Sequence, residues 1–300
     1  MSAFLYIGTI VIWGTTWLAI AFQVGEAPAE IAVFHRFIVA CVAQLLLMLV
    51  TKKLVWIPFR QHGFMMLQGF LLFSFNFILF YNATTYIPSG LVSVVFSLAT
   101  IYNLINGYVF KRVIPPVKSI LGAVMGVGGI VLIFWPDIAA GNWDGARITG
   151  LLLAAAGTFC FSLGNIVSQH QQALGRNVMT ANTYGLVYGT VALGIWCLIR
   201  GYDFMPPMSY SYLGSALYLA IPGTIIGFGF YLALVGRIGP ARAAYCTVLF
   251  PIVALTLSTY FEGFVWSEGA LLGVALALIG NVVIFLPPIS RWGRLKKTPI

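Results

Sequence analysis

Uninterrupted apolar stretches about 20 residues long dominate this chain, and their length is the strongest constraint on its fold. A helix rises about 1.5 Å per residue, so roughly 20 apolar residues are needed to cross about 30 Å of hydrocarbon. Windows of that size pick out ten stretches in 300 residues: 3–24, 30–50, 63–85, 89–109, 117–135, 148–169, 180–199, 211–235, 241–261 and 267–287. Short polar or Pro/Gly breaks separate them, and they leave no room for a soluble domain. Period-2 alternation is missing, which argues against a β-barrel. The first stretch has no basic n-region and no A-x-A cleavage site, so it is expected to stay as a helix rather than be removed as a signal peptide. The expectation is an all-α integral membrane protein with ten transmembrane helices.

Composition agrees and narrows the function. Apolar side chains make up 60% of the chain and charged ones 8%, against about 25% charged in a soluble domain. So few charges cannot cover a soluble surface, which excludes a cytosolic enzyme, a nucleic-acid binder and a disordered chain. The net charge of +9 is then a matter of placement. With the N-terminus inside, Lys52, Lys53, Arg60, Lys111, Arg112, Lys118, Arg176, Arg237, Arg242, Arg291, Arg294, Lys296 and Lys297 all fall on the cytoplasmic side. Arg147 and Arg200 fall on the other side, and Arg36 lies within a span. The acids Glu26, Glu30, Asp137, Asp144, Asp203, Glu262 and Glu268 lie at or near the opposite face. The positive-inside rule therefore places both termini in the cytoplasm, with anionic headgroups of the bilayer as partners of the basic loops. Cys41, Cys160, Cys197 and Cys246 all sit inside spans, without His or acids at ligand spacing; they read as small hydrophobes, with no disulfide, metal or cofactor expected.

The chain also repeats itself. A shift of 151 residues aligns Tyr86–Ile138 with Arg237–Ile289 without a gap, and matches Gly122/Gly273, Gly129/Gly280 and Pro136/Pro287 among thirteen identities. Each half, 1–138 and 139–300, holds five spans, the second ending in a short basic tail. An odd number of spans forces the halves to enter the membrane in opposite directions. Inverted repeats of this kind build alternating-access carriers that hold substrate near the midplane.

Trp13-Gly14-Thr15-Thr16, Arg36-Phe37-Ile38-Val39-Ala40, and Arg237-Ile238-Gly239-Pro240-Ala241-Arg242-Ala243 followed by Leu249-Phe250-Pro251 resemble the drug/metabolite transporter superfamily, EamA type. The resemblance covers nearly the whole chain and recurs in both halves. It implies a ten-helix exporter of small metabolites in a bacterial inner membrane, and among its members the chain is most similar to amino-acid exporters. Two positions depart from the pattern: Lys111-Arg112 stand where many members have an acid after the fourth span, and Ala21 stands where many have Lys.

Polar and aromatic residues inside spans are the candidates for the substrate pathway. Thr158, Ser162, Asn165 and Gln169 fall on one face of the sixth span, and a shift of 149 puts Thr9, Trp13, Thr16 and Ile20 on the matching face of the first. Such a stripe either lines a pathway or bonds helices together. Asn76, Ser97, Asn103 and Asn106 add amides and a hydroxyl in the third and fourth spans. Trp17, Tyr102, Tyr188, Tyr231 and Tyr245 lie deep enough to seal a cavity or to stack on substrate. Tyr81 and Tyr231 share matched Phe-Tyr-x-Ala pieces. Trp56, Trp143, Tyr202 and Trp292 read as interfacial anchors.

Arg36 stands about six residues inside the edge of its span. An intramembrane Arg faces a cavity or a partner, so it either donates to a substrate carboxylate or clamps Glu30 or free carbonyls near a helix end. His35 is the mid-span group that would titrate near neutrality, and it reads as packed rather than as a proton relay. Pro251 lies mid-span and is either a gating hinge or a static kink.

The leading reading is an alternating-access carrier of small metabolites, amino acids of broad, neutral or aromatic type foremost, working by facilitated diffusion or exchange because no Asp or Glu lies deep in any span. The alternative is a proton-driven exporter of drugs or other amphipathic metabolites. A membrane enzyme acting on lipids would need catalytic acids, a His cluster or a nucleotide motif, and none is present. The expected partners are a small-molecule substrate and the lipid bilayer, with no nucleic acid; the oligomeric state stays open, and one copy can form a whole pathway.

Overall fold

The computed structural model describes residues 2–112, 114–139, 145–238 and 246–285. Within them the chain is helical, with no strand beyond an isolated bridge between Val24 and Ala27. Its elements are α1 (Ser2–Ala21), α2 (Ala29–Val50), α3 (Gly63–Phe73), α4 (Phe75–Thr84), α5 (Ser89–Phe96), α6 (Ala99–Lys111), α7 (Val117–Ala139), α8 (Gly145–Ala173), α9 (Val178–Ile199), α10 (Tyr210–Tyr218), α11 (Gly227–Ile238), α12 (Cys246–Phe261) and α13 (Glu268–Phe285). A π-helical turn, Leu219–Ile226, joins α10 to α11. Eight helices or helix runs are long and apolar enough to cross a membrane. The apolar α12 and α13 are shorter, at 16 and 18 residues. The chain is an integral membrane protein.

Three stretches expected as single spans are interrupted, and in each case the backbone explains how. At Ser74, between α3 and α4, the backbone leaves the helical region (φ −146°, ψ −77°). Its amide and its hydroxyl both donate to the Phe70 carbonyl, the hydroxyl at 2.8 Å, so the side chain adds a bond at the end of α3 where the helical ladder stops. Between α5 and α6 the chain tightens through Ser97 and Leu98, whose amides bond carbonyls three residues back. Between α10 and α11 stands Pro222, which has no amide to donate and crowds the carbonyl four residues back. The turn widens there, and the Thr224 hydroxyl donates to the Leu219 carbonyl at 2.9 Å. Residue patterns show apolar length; they do not show where a backbone carbonyl is handed to a side chain.

α7 and α13 form the most extensive helix pair. A Cβ on Gly122 would overlap the Gly280 carbonyl, and one on Gly129 would overlap the Gly273 carbonyl, so only glycine allows the approach. The pair touches the remaining helices lightly. The main core gathers rings from α1, α2, α3, α4 and α12, including Trp17, Phe37, Phe73, Phe80 and Phe250, and takes in Ile130 of α7 and Val274 of α13.

Candidate functional site

Arg36 is the buried cation around which the site is built, at 5% exposure. α2 places it at the level of the π-helical turn, 188 residues further along the chain. Its Nη2 donates to the Thr224 hydroxyl at 3.4 Å, a long and therefore weak bond. Nε and Nη1 have no hydrogen-bond partner. The guanidinium lies over the Phe77 ring at 4.3 Å from its centroid and near the Phe37 ring at 5.1 Å. Ring faces contribute about 0.5–2 kcal/mol to holding a cation, whereas burying an ion costs several kcal/mol after relaxation. The Tyr81 hydroxyl, which donates to Gln23, also lies beside the guanidinium; two rings, a neutral hydroxyl and one weak bond do not offset that cost. The geometry is that of a cation short of an anion, and Glu30 is not its partner.

Rings extend from Arg36 in two directions. Phe37 meets Phe77 at 5.0 Å and Phe73 at 6.0 Å between centroids; Phe73 meets Phe228, which packs on Trp13, and Trp13 packs on Tyr231 at 5.1 Å. On the other side Phe77 meets Phe80, and Phe80 and Phe96 enclose Trp17, which stacks on Phe250. These interlocked rings exclude water around the cation. Close approach of α1 completes the wall: a Cβ on Gly223 would meet the Thr16 methyl at 2.8 Å, and one on Gly227 would meet the Trp13 indole nitrogen at 2.5 Å. Thr16 itself donates to the Trp13 carbonyl.

Beside Thr224 lies a small cavity of about 40 Å³, between α2, α3, α9, the π-helical turn and α11. Its lining includes Gln44, Phe73, Asn182, Leu186, Thr224 and Phe228. The Gln44 amide donates to Thr183, and the buried Gln68 amide donates to Asn182 at 2.6 Å. The lining mixes apolar walls with a few placed amides, the residue types that line small-molecule sites, in a crevice smaller than a metabolite.

The other sequence candidates divide by contact. Asn76 is fully buried with neither side-chain atom bonded. The sixth-span stripe turns to α6: Ser162 donates to Asn103 at 2.8 Å and accepts from Asn106 at 2.9 Å, and Asn165 lies 3.5 Å from Asn103. Gln169 accepts from Lys111, and Thr158 bonds its own helix. These side chains therefore join α6 to α8 in this structure. Tyr102 packs on Phe159, Ser97 is buried at the α5–α6 turn, and Tyr188 bonds His62 far along the chain from Arg36. His35 bonds the Tyr212 hydroxyl and the Phe204 carbonyl, so both ring nitrogens are engaged. Pro251 is buried in an unbroken α12. Tyr245, and the anchors Trp143 and Trp292, lie outside the described residues. Sequence reasoning missed Thr224, Gln44 and Asn182. A proline inside an apolar stretch, at Pro222, was the one signal pointing to the first.

A bundle of membrane-crossing helices with a dry ring-lined centre, a buried cation and a small adjacent cavity defines a membrane transport protein rather than an enzyme. The family comparison agrees: the EamA-like transporter family matches residues 1–135 and 148–286, and this chain belongs to that family. It is 26% identical over 285 residues to protein PagO of Salmonella typhimurium, covering 93% of this chain and 90% of that one. It is 25% identical over 280 residues to a protein of Escherichia coli described as the uncharacterized inner membrane transporter YedA, covering 92% and 88%. A probable amino-acid metabolite efflux pump of Salmonella typhimurium is 23% identical over 287 residues, with 93% of each chain covered. A solved crystal structure superposes with a TM-score of 0.64 at 18% identity, covering 94% of this chain and 96% of the other, which establishes a shared fold.

Proposed function

We propose that the chain is an alternating-access carrier made of two inverted five-helix repeats, 1–138 and 139–300, with ten spans and both termini in the cytoplasm. On this reading it exports small carboxylate-bearing metabolites, amino acids foremost, across a bacterial inner membrane by facilitated diffusion or exchange. Two observations support the repeat. Gly122 packs on Gly280 and Gly129 on Gly273, while the sequence shift pairs Gly122 with Gly273 and Gly129 with Gly280; crossed partners of this kind are what a two-fold axis between the halves produces. The shift of 150 that matches the two Phe-Tyr-x-Ala pieces also pairs Ser74 with Thr224, so both repeat-related spans are interrupted at the same place. Interrupted spans near the midplane mark binding sites in carriers.

The observation that carries the substrate reading is Arg36, buried with Nε and Nη1 unpartnered. A carboxylate bonded by an Arg fork supplies the missing charge and two acceptors, and the surrounding rings accept an apolar or aromatic side chain. A phosphorylated substrate would want a second cation beside it. The relative described as an amino-acid metabolite efflux pump points the same way. A counterflow screen of labelled amino acids in proteoliposomes tests the reading. Arg36→Gln is expected to lower carboxylate counterflow at least tenfold while the protein still purifies as a folded monodisperse species; folded Arg36→Gln protein with intact transport would sink the carboxylate role.

A further inference from the structure

One of the side chains that hold the buried cation, Thr224, was singled out by no sequence pattern. We propose that Thr224 is the positioning residue of the substrate site: its hydroxyl, presented by the π-helical turn, fixes which edge of the Arg36 guanidinium receives the carboxylate. The inference rests on the carboxylate reading of Arg36.

A guanidinium offers a carboxylate two forks of parallel N–H bonds, Nε with Nη2 and Nη1 with Nη2. Both forks share Nη2, the nitrogen that Thr224 accepts from. By occupying one Nη2 hydrogen, Thr224 leaves a single fork free and sets its direction. Thr224 is itself fixed, because its own proton goes to the Leu219 carbonyl at 2.9 Å. That carbonyl is reached only because the turn around Pro222 is widened. The bond from Arg36 to Thr224 is weak enough to yield slightly as a substrate arrives, and the rings of Phe37 and Phe77 keep the guanidinium plane in place meanwhile. Thr224 also lines the cavity shared with Gln44, Phe73, Asn182 and Phe228. It therefore stands between the cation and the small cavity beside it.

The repeat strengthens the assignment. Ser74 holds the matching place in the first half and also donates its proton to its own helix, at Phe70. Its repeat-related neighbour, matching Arg36 at the same shift, is Leu186, so the first-half break has no cation to orient. Of the two interruptions, one carries the additional bond.

The test compares Thr224→Val, which keeps the shape and loses the hydroxyl, with Thr224→Ser, which keeps the hydroxyl. Counterflow in proteoliposomes is measured with the labelled amino acid that gives the largest wild-type signal, phenylalanine being the first probe, and with its neutral amide. Thr224→Val is expected to raise the KM for the carboxylate about tenfold, leave the maximal rate within about twofold, and narrow the preference for the carboxylate over the amide. Thr224→Ser is expected to match wild type, and Thr224→Ala covers the case in which valine is not accommodated. An unchanged KM in folded Thr224→Val and Thr224→Ala protein overturns the inference, as does equal impairment of Thr224→Ser. If Arg36→Gln also transports normally, the underlying carboxylate reading has failed; if Arg36→Gln is defective and Thr224→Val is not, the positioning role alone has failed.

Discussion

Arg36 and Asn76 are both buried and both short of partners, yet the physics separates them. A cation cannot lose its charge cheaply in hydrocarbon, so Arg36 stays only where an anion visits or rings and hydroxyls hold it. An amide without partners forfeits about 1–3 kcal/mol, and replacing it with an apolar side chain recovers that loss. Asn76→Leu is therefore expected to melt no lower than wild type in detergent. Its counterflow is expected to fall about tenfold if the amide serves the substrate. A clearly lower melting temperature would mean that Asn76 is bonded in the working protein. His35 differs from both: Tyr212 and the Phe204 carbonyl engage both its nitrogens, which is the behaviour of a packed residue. The sequence singled out all three side chains from depth and polarity. It could not show that the α8 stripe turns toward Asn103 and Asn106 while Arg36 turns toward Thr224, because helix rotation is set by neighbours.

At the scale of elements, segments that match in sequence differ in their contacts. At the N-terminus of α5, the carboxylate of Glu262, which follows α12, accepts from the Ser89 amide at 3.0 Å and from its hydroxyl at 2.6 Å. Ser258 also donates to Glu262, and its hydroxyl accepts from the Gly90 amide at 2.8 Å. A carboxylate at a helix N-terminus meets both free amides and the positive end of the dipole, so α5 and α12 are tied together at this end. The shift of 151 maps Glu262 to Lys111 and Ser258 to Gly107. Lys111 bonds Gln169 instead. Glu262→Gln is expected to loosen this tie by about 1–2 kcal/mol, in the range of charge-assisted bonds. Spin labels at exposed Tyr86 and Tyr260 would report a longer or broader distance distribution than in wild type; an identical distribution would show that the carboxylate contributes nothing to closure. The apolar lengths of α5 and α12 were legible in the sequence, and Glu262 was legible as an exposed acid. Its role as a clamp was not, because Ser89 lies 173 residues away.

At the scale of the whole molecule, the distribution of charge bears on energy coupling. The described spans bury Arg36 and His35 but hold no acid at depth, and His35 is engaged at both nitrogens. A carrier so equipped is expected to equilibrate or exchange its substrate rather than concentrate it with protons. In sealed vesicles an imposed pH gradient should produce no uphill accumulation, and His35→Ala should leave the time course unchanged. Accumulation driven by the gradient and lost in His35→Ala would establish proton coupling. The family match over residues 1–135 and 148–286 and the shared fold are properties at this scale too, since both span nearly the whole chain.

What the sequence determined by itself was membrane embedding and helical class. These depend on apolar length and on the cost of moving charge through hydrocarbon, quantities that add up locally along a chain. The tertiary structure decided the rest: the breaks at Ser74 and Pro222, the turn of the α8 stripe toward α6, the Glu262 clamp and the meeting of Arg36 with Thr224. Each depends on which helices cross and at what rotation. That is settled by close packing of side chains far apart in sequence, so no local sum along the chain contains it.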